Sequence, residues 1–302
     1  MKNIGASIKQ RLKNKSRELN IPFDQILQRY GIERFLLRLS ESKYRDKFIL
    51  KGGQMLLVWS DEQMRPTMDV DFMGITENSL ENLNNIMFDL CSQNHPDVDG
   101  ISFNPDSVNA VRIKEDAEYE GVRITFEGML DTAKIHMQID TGFDDAVTLE
   151  PEIMRYPSIL GQKEPELMVC HRETLIAEKF EAMVKLGAFN SRMKDFFDIW
   201  LLSTRFSFEE QAVGEAISAT FERRGTYLDK LPSILDHDFE YLDDKQTQWR
   251  AFIKKNKLTY APEQFSEITT YVAAFIGTVL DGLRNTTSKN RFWSPPGPWK
   301  TS

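Results

Sequence analysis

The chain has 302 residues, 41% hydrophobic and 28% charged, a composition that excludes overall disorder and allows for about two domains. Against 46 Asp and Glu stand 38 Lys and Arg, a net charge of −8, so no global basic field draws the protein to nucleic acid or anionic membrane. A nucleic-acid substrate would need a local basic patch. Cys91 and Cys170 form no CxxC pair, and His95, His136, His171 and His237 are scattered. That argues against a disulfide framework or structural zinc, and fits a reducing cytoplasm.

Residues 4–39 read as helices, with Phe23, Ile26, Leu27 and Tyr30 on the 3.6-residue period and Phe35, Leu36 and Leu39 resuming it after Gly31. Lys9, Arg11, Lys13, Lys15 and Arg17 read as a solvated helix face rather than a binding arm; no apolar run of a signal peptide follows them. Phe48-Ile49-Leu50 is a buried strand, followed by Lys51-Gly52-Gly53 and an apolar helix over 54–59. Residues 61–65 form a polar loop, 68–73 a second strand, 79–91 a helix and 95–100 a turn-rich break. Three more strands are expected at 110–113, 122–127 and 134–140. Residues 151–165, with three prolines and a glycine, are the best linker candidate. Helical patterns then cover 173–186, 192–202, 208–221, 247–255 and 262–283, and the tail from Arg291 reads as irregular. The expected fold class is α+β: a mixed α/β domain over residues 1–160 and an all-α domain over 161–302. No apolar stretch approaches the roughly 20 residues of a membrane span.

The strongest chemical signal is Arg65-Pro66-Thr67-Met68-Asp69-Val70-Asp71-Phe72. On a strand, residues two apart share a face, so Asp69 and Asp71 project together while Val70 and Phe72 face the core. Two adjacent carboxylates repel unless a cation neutralises them, and hard oxygen ligands suit Mg²⁺. A solvent face holding two acids is the plainer alternative. The nearby Gly52-Gly53 turn lets backbone N–H groups approach a phosphate. With cationic Arg65, it favours a phosphate-plus-metal site over a plain turn. Asp140 ends the polar face of its strand; it could be a third metal ligand, a general base, or only a strand-end acid, and Asp144 and Asp145 compete for those roles. Lys179 falls between Leu175 and Ile176 on an apolar helix face, where it must snorkel, pair with an acid or meet a ligand anion. Arg192, Asp195 and Asp198 step along one side of the next helix, and Lys179 is a natural partner for them.

In their order along the chain, these segments resemble the AbiEii/AbiGii nucleotidyltransferase toxins, a branch of the DNA polymerase β-like superfamily. The carrying residues are Phe48-Ile49-Leu50-Lys51-Gly52-Gly53, the segment from Arg65 to Phe72, Asp140, Glu178-Lys179 and the segment from Arg192 to Asp198. Ala6-Ser7-Ile8 and the stretch from Arg29 to Phe35 also fit, and the last ~70 residues carry no resemblance. The resemblance implies a nucleotidyltransferase-type mixed sheet flanked by helices, then a helical C-terminal domain. It implies that Asp69 and Asp71 hold Mg²⁺ (or Mn²⁺) with Asp140 as a variable third carboxylate. Lys51, Gly52 and Gly53 would line the triphosphate, with Arg65, Thr67 and Arg192 as further nucleotide contacts. Lys179 and Asp195 or Asp198 match the family's essential lysine and aspartate. The wider superfamily often has serine where this chain has Gly53, so a backbone contact would replace a hydroxyl.

The implied reaction is attack of an acceptor hydroxyl on the α-phosphate of an NTP, with pyrophosphate leaving. The acceptor implied is an RNA 3′ end such as tRNA, and the implied partner is a cognate antitoxin, in the cytoplasm and away from membranes. Two alternatives stand beside it: a nucleotide-binding interaction module without catalysis, and a transferase that modifies a protein side chain.

Overall fold

The computed structural model describes residues 3–60, 65–93, 99–116, 119–143, 149–228, 232–235, 239, 244–285 and 290–301. Most of the polar loop over 61–65, most of the break over 95–100, and the competing acids Asp144 and Asp145 lie outside them. The chain divides into two compact units, one over residues 1–145 and 151–170, the other over 146–150 and 171–302.

The first unit opens with helices α1 (Ile4–Glu18) and α2 (Phe23–Ser40). Asn3 caps α1 by accepting from the Ala6 amide. Three basic residues of α1 have partners within the first unit: Lys9 pairs with Asp131 at 3.0 Å, Lys15 with Glu18 at 2.8 Å, and Arg11 donates to the Leu160 carbonyl. Helix α2 is buried on nearly all sides, because it lies across the sheet and under other elements at once. Its charged residues are therefore paired inside the fold, Arg38 with Asp99 at 3.0 Å and Arg34 with Glu33.

Seven strands form one mixed sheet: β1 (Phe48–Lys51), β2 (Val70–Gly74), β3 (Ile101–Asp116), β4 (Tyr119–Leu130), β5 (Ala133–Phe143), β6 (Glu152–Arg155) and β7 (Glu166–Val169). Their order is β3-β4-β5-β2-β1-β7-β6. The β2–β5 and β1–β7 pairs are parallel and the others antiparallel. Alternation puts Val70, Phe72, Val122, Ile124, Phe126, Ile135, Met137 and Ile139 into the core, all at most 2% exposed. Phe35 of α2 packs against Phe103 and Phe126, and Gly31 lets that helix press onto Ile135 and Met137. A short helix α3 (Met55–Ser60) follows β1, and α4 (Leu80–Ser92), capped by Ser79, packs on β3.

The structure extends or corrects several sequence expectations here. β3 is far longer than the expected 110–113, because a register shift between Asn104 and Asn109 absorbs Pro105 and its polar neighbours. The expected linker over 151–165 contains β6, an edge strand whose mostly exposed residues lack a readable period. The expected boundary at residue 160 moves to 170, since β7 pairs with β1 and β6 and stays in the first unit.

The second unit is helical: α5 (Arg172–Leu186), α6 (Met193–Arg205), α7 (Glu210–Arg223), α8 (Lys245–Asn256) and α9 (Phe265–Asn285). It also carries a small sheet of β8 (Phe208–Glu209), β9 (Arg291–Trp293) and β10 (Trp299–Thr301), so the tail is not irregular. Trp293 holds the tail by stacking edge-on to Phe275 and donating from its indole to the Ser203 carbonyl at 2.6 Å. No described helix is long and apolar enough to cross a membrane.

Candidate active site

The sheet register builds the site. β1, β2, β5 and β4 place Lys51, Asp71, Asp140 and Arg123 opposite one another in turn. Directly paired residues share a face, so the row runs cation, acid, acid, cation across four strands. Asp69, one residue before β2 and outside the ladder, lies beside the two acids in the middle of the row. One carboxylate oxygen from each of Asp69, Asp71 and Asp140 lies within 4.8 Å of the other two. The sequence expectation that Asp69 and Asp71 project together therefore holds, and Asp140 joins them.

Three like charges this close repel by at least about 3 kcal/mol per pair at an effective dielectric of about 20. Arg123 offsets part of this. Its Nε donates to Asp140 Oδ1 at 2.8 Å and its Nη2 to Oδ2 at 2.7 Å, a two-pronged pairing that fixes the carboxylate plane. Gln138 adds a donor to Asp140 Oδ2 at 3.2 Å. Sequence reading missed Arg123, because only the β4–β5 register brings residue 123 beside residue 140. Lys51 is 7% exposed at the far end of the row.

The glycine turn is shaped by its neighbours. Gly52 has φ +71°, and a Cβ there would stand 1.9 Å from Asp71 Oδ2. The bare backbone thus leaves the space that the Asp71 carboxylate fills. A Cβ on Gly53 would meet Arg65 Nη2 at 2.8 Å and Thr67 Oγ1 at 2.9 Å. A hydroxyl does stand beside position 53, but the loop before β2 brings it. Arg65 Nη1 donates to Thr67 Oγ1 at 3.1 Å, which makes the two residues one unit.

The remaining candidates lie in the second unit. Lys179 of α5 reaches Asp198 Oδ2 at 2.7 Å and Asp195 Oδ1 at 3.2 Å, and Arg192 Nε reaches Asp195 Oδ2 at 2.7 Å. Asp195 and Asp198 are fully buried, whereas the Arg192 side chain is 43% exposed. Of the three fates open to Lys179, the structure shows the ion pair. Asn190 orders the helix entry by accepting from the Arg192 amide at 2.8 Å, while its own carbonyl accepts from buried Lys245.

The fold is similar to that of a solved nucleotidyltransferase toxin. MenT4, a nucleotidyltransferase toxin from Mycobacterium tuberculosis, superposes with a TM-score of 0.50 at 15% identity, over 92% of this chain and 99% of that one. A putative nucleotidyltransferase from H. pylori superposes with a TM-score of 0.47 at 14% identity, over 84% of this chain and 94% of that one. No curated protein matches the chain in sequence. The family described as nucleotidyl transferase AbiEii toxin, type IV TA system, matches residues 34–270. The chain belongs to this AbiEii family of nucleotidyltransferase toxins.

Proposed function

We propose that the chain transfers a nucleoside monophosphate from an NTP to the hydroxyl of an RNA 3′ end, tRNA included, with Asp69 and Asp71 holding Mg²⁺ or Mn²⁺ and Asp140 completing the cluster. The observation that carries this reading is the meeting of three carboxylates within 4.8 Å, against a glycine turn with no room for a side chain. A set of hard oxygen donors with excess negative charge fits such an ion. When bound, it would supply charge stabilisation for the α-phosphate and the leaving pyrophosphate.

The protein's own groups do the rest. Lys51 and Arg65 supply cations for phosphate oxygens, and the backbone of Gly52 and Gly53 allows close approach of the triphosphate. Thr67, tied to Arg65, offers a hydroxyl in the same loop. Arg123 holds Asp140 in one orientation. Lys179, with Asp195 or Asp198, takes the part of the family's essential lysine and aspartate, and Arg192 is a further nucleotide contact. Membership of a toxin–antitoxin family supports a cognate antitoxin as partner and a cytoplasmic setting.

The test is incubation with α-labelled NTPs, Mg²⁺ and total RNA. Label on RNA from the wild type, and none from a folded Asp69→Ala variant, is the expected result. Undiminished transfer by that variant overturns the metal assignment. Label on a protein band would mean a side-chain acceptor, and nucleotide binding without transfer would mean a non-catalytic module.

A further inference from the structure

Asp69 precedes β2, so the strand ladder that aligns Asp71 with Asp140 does not extend to it. Its backbone is held instead by two buried side-chain amides. Gln28 Nε2, from α2, donates to the Met68 carbonyl at 2.9 Å and the His136 carbonyl at 3.0 Å. Gln54 Nε2, from the turn after Gly53, donates to the Asp69 carbonyl at 2.9 Å and approaches that of Thr67 at 3.5 Å. Three successive carbonyls, those of Thr67, Met68 and Asp69, are thus tied to the α2 and glycine-turn sides of the fold.

The Gln54 amide has only one workable orientation. Carbonyls accept and never donate, so the edge facing Thr67 and Asp69 must be the NH₂ group. Oε1 then points the other way, where it accepts from the Tyr156 hydroxyl at 2.8 Å. Gln54 is 4% exposed and Tyr156 fully buried, so no water replaces that donor. Burial pushes the Tyr156 phenol upward from its ordinary range, which keeps the proton on the oxygen for donation. Tyr156 lies just after β6, in the segment that the sequence presents as a linker.

The geometry points to Tyr156 as a positioning residue for the Asp69 carboxylate, acting through the Gln54 amide. The phenol stops the amide from flipping, and the amide fixes the carbonyl next to the Asp69 side chain. This rests on the reading of Asp69 as a metal ligand, and the experiment separates the two claims.

Full-length Tyr156→Phe, Gln54→Met and the double variant are compared for Mn²⁺ affinity without nucleotide, for amide hydrogen exchange of the 65–74 segment, and for kcat and KM. Tyr156→Phe is expected to weaken Mn²⁺ binding roughly five- to tenfold, to speed exchange in that segment, and to lower kcat with KM for NTP unchanged. Gln54→Met is expected to do the same or more. In its background Tyr156→Phe adds nothing, because the phenol acts only through the amide. Leu83→Ala, on α4 where that helix packs over β3, three strands from β2 in the sheet, provides a variant of lowered Tm that should keep wild-type Mn²⁺ affinity. The relay is overturned if Tyr156→Phe leaves the exchange of 65–74 unchanged, if the two effects add, or if Leu83→Ala weakens Mn²⁺ binding equally. Wild-type Mn²⁺ affinity in Asp69→Ala would instead overturn the metal reading, and the exchange result would still decide the relay.

Discussion

Replacing Gly52 with alanine tests how closely the turn and the acid are fitted. The new Cβ would stand 1.9 Å from Asp71 Oδ2 and 2.6 Å from its Cγ. Ordinary contact begins near 3.4 Å, so the carboxylate must retreat by about 1.5 Å. A shift of about 1 Å at a reacting centre costs about 100-fold in rate, so transfer should fall by at least that factor. The backbone adds a separate cost, since φ +71° in an alanine costs about 1–2 kcal/mol, or about 2–8 °C in Tm for a unit of this size. Gly161 separates the two effects. It has φ +66° and nothing within 4 Å of its would-be Cβ, so Gly161→Ala carries the backbone strain alone. The assay compares label transfer and thermal melting for both variants. Similar Tm losses, with transfer lost only in Gly52→Ala, are expected. If Gly52→Ala transfers within threefold of Gly161→Ala, the space at Gly52 does not serve Asp71 and the reasoning fails.

Lys179→Met leaves Asp195 and Asp198 buried with one cation fewer, and should destabilise the helical unit by about 3–5 kcal/mol in urea unfolding. An unchanged midpoint would show that the network contributes nothing to stability. Arg123→Gln removes a cation paired with Asp140, so Mn²⁺ should bind roughly three- to tenfold more tightly at low salt and by less at high salt. Weaker binding would mean that Arg123 is needed chiefly to orient Asp140. Burial pushes the Cys91 thiol up to about 12, against 9.0 for a free thiol, so the unfolded chain ionises first as pH rises. Its stabilising share is complete below pH 9 and is lost between 9 and about 12, and Cys91→Ala should flatten the early part of that fall in Tm against pH.

Much of the site was legible from local pattern. Asp69 and Asp71 stand two apart in a segment whose Val70 and Phe72 are fully buried, so alternation suggested a pair on one face, although Asp69 precedes β2 and its backbone is held by Gln54 rather than by the strand ladder. Lys179 on an apolar helix stripe required a partner, and Asp195 and Asp198 on the next helix were the natural acids. The helices of both units followed from 3.6-residue periodicity, which is a short-range signal. The edge strand β6 left no such trace, because its residues are mostly exposed and its identity comes from its partner β7.

Residue types and their near spacing determined the chemistry available to this protein: paired acids, a glycine turn, and a lysine on an apolar helix face. Tertiary structure alone decided which distant groups meet that chemistry. Arg123 reaches Asp140 through strand register, and Tyr156 reaches Gln54 across 102 positions of chain. Hydrophobic period reports which face of an element is buried, but not which element lies beside it. Strand order and register, set by the packing of the whole unit, choose the neighbours.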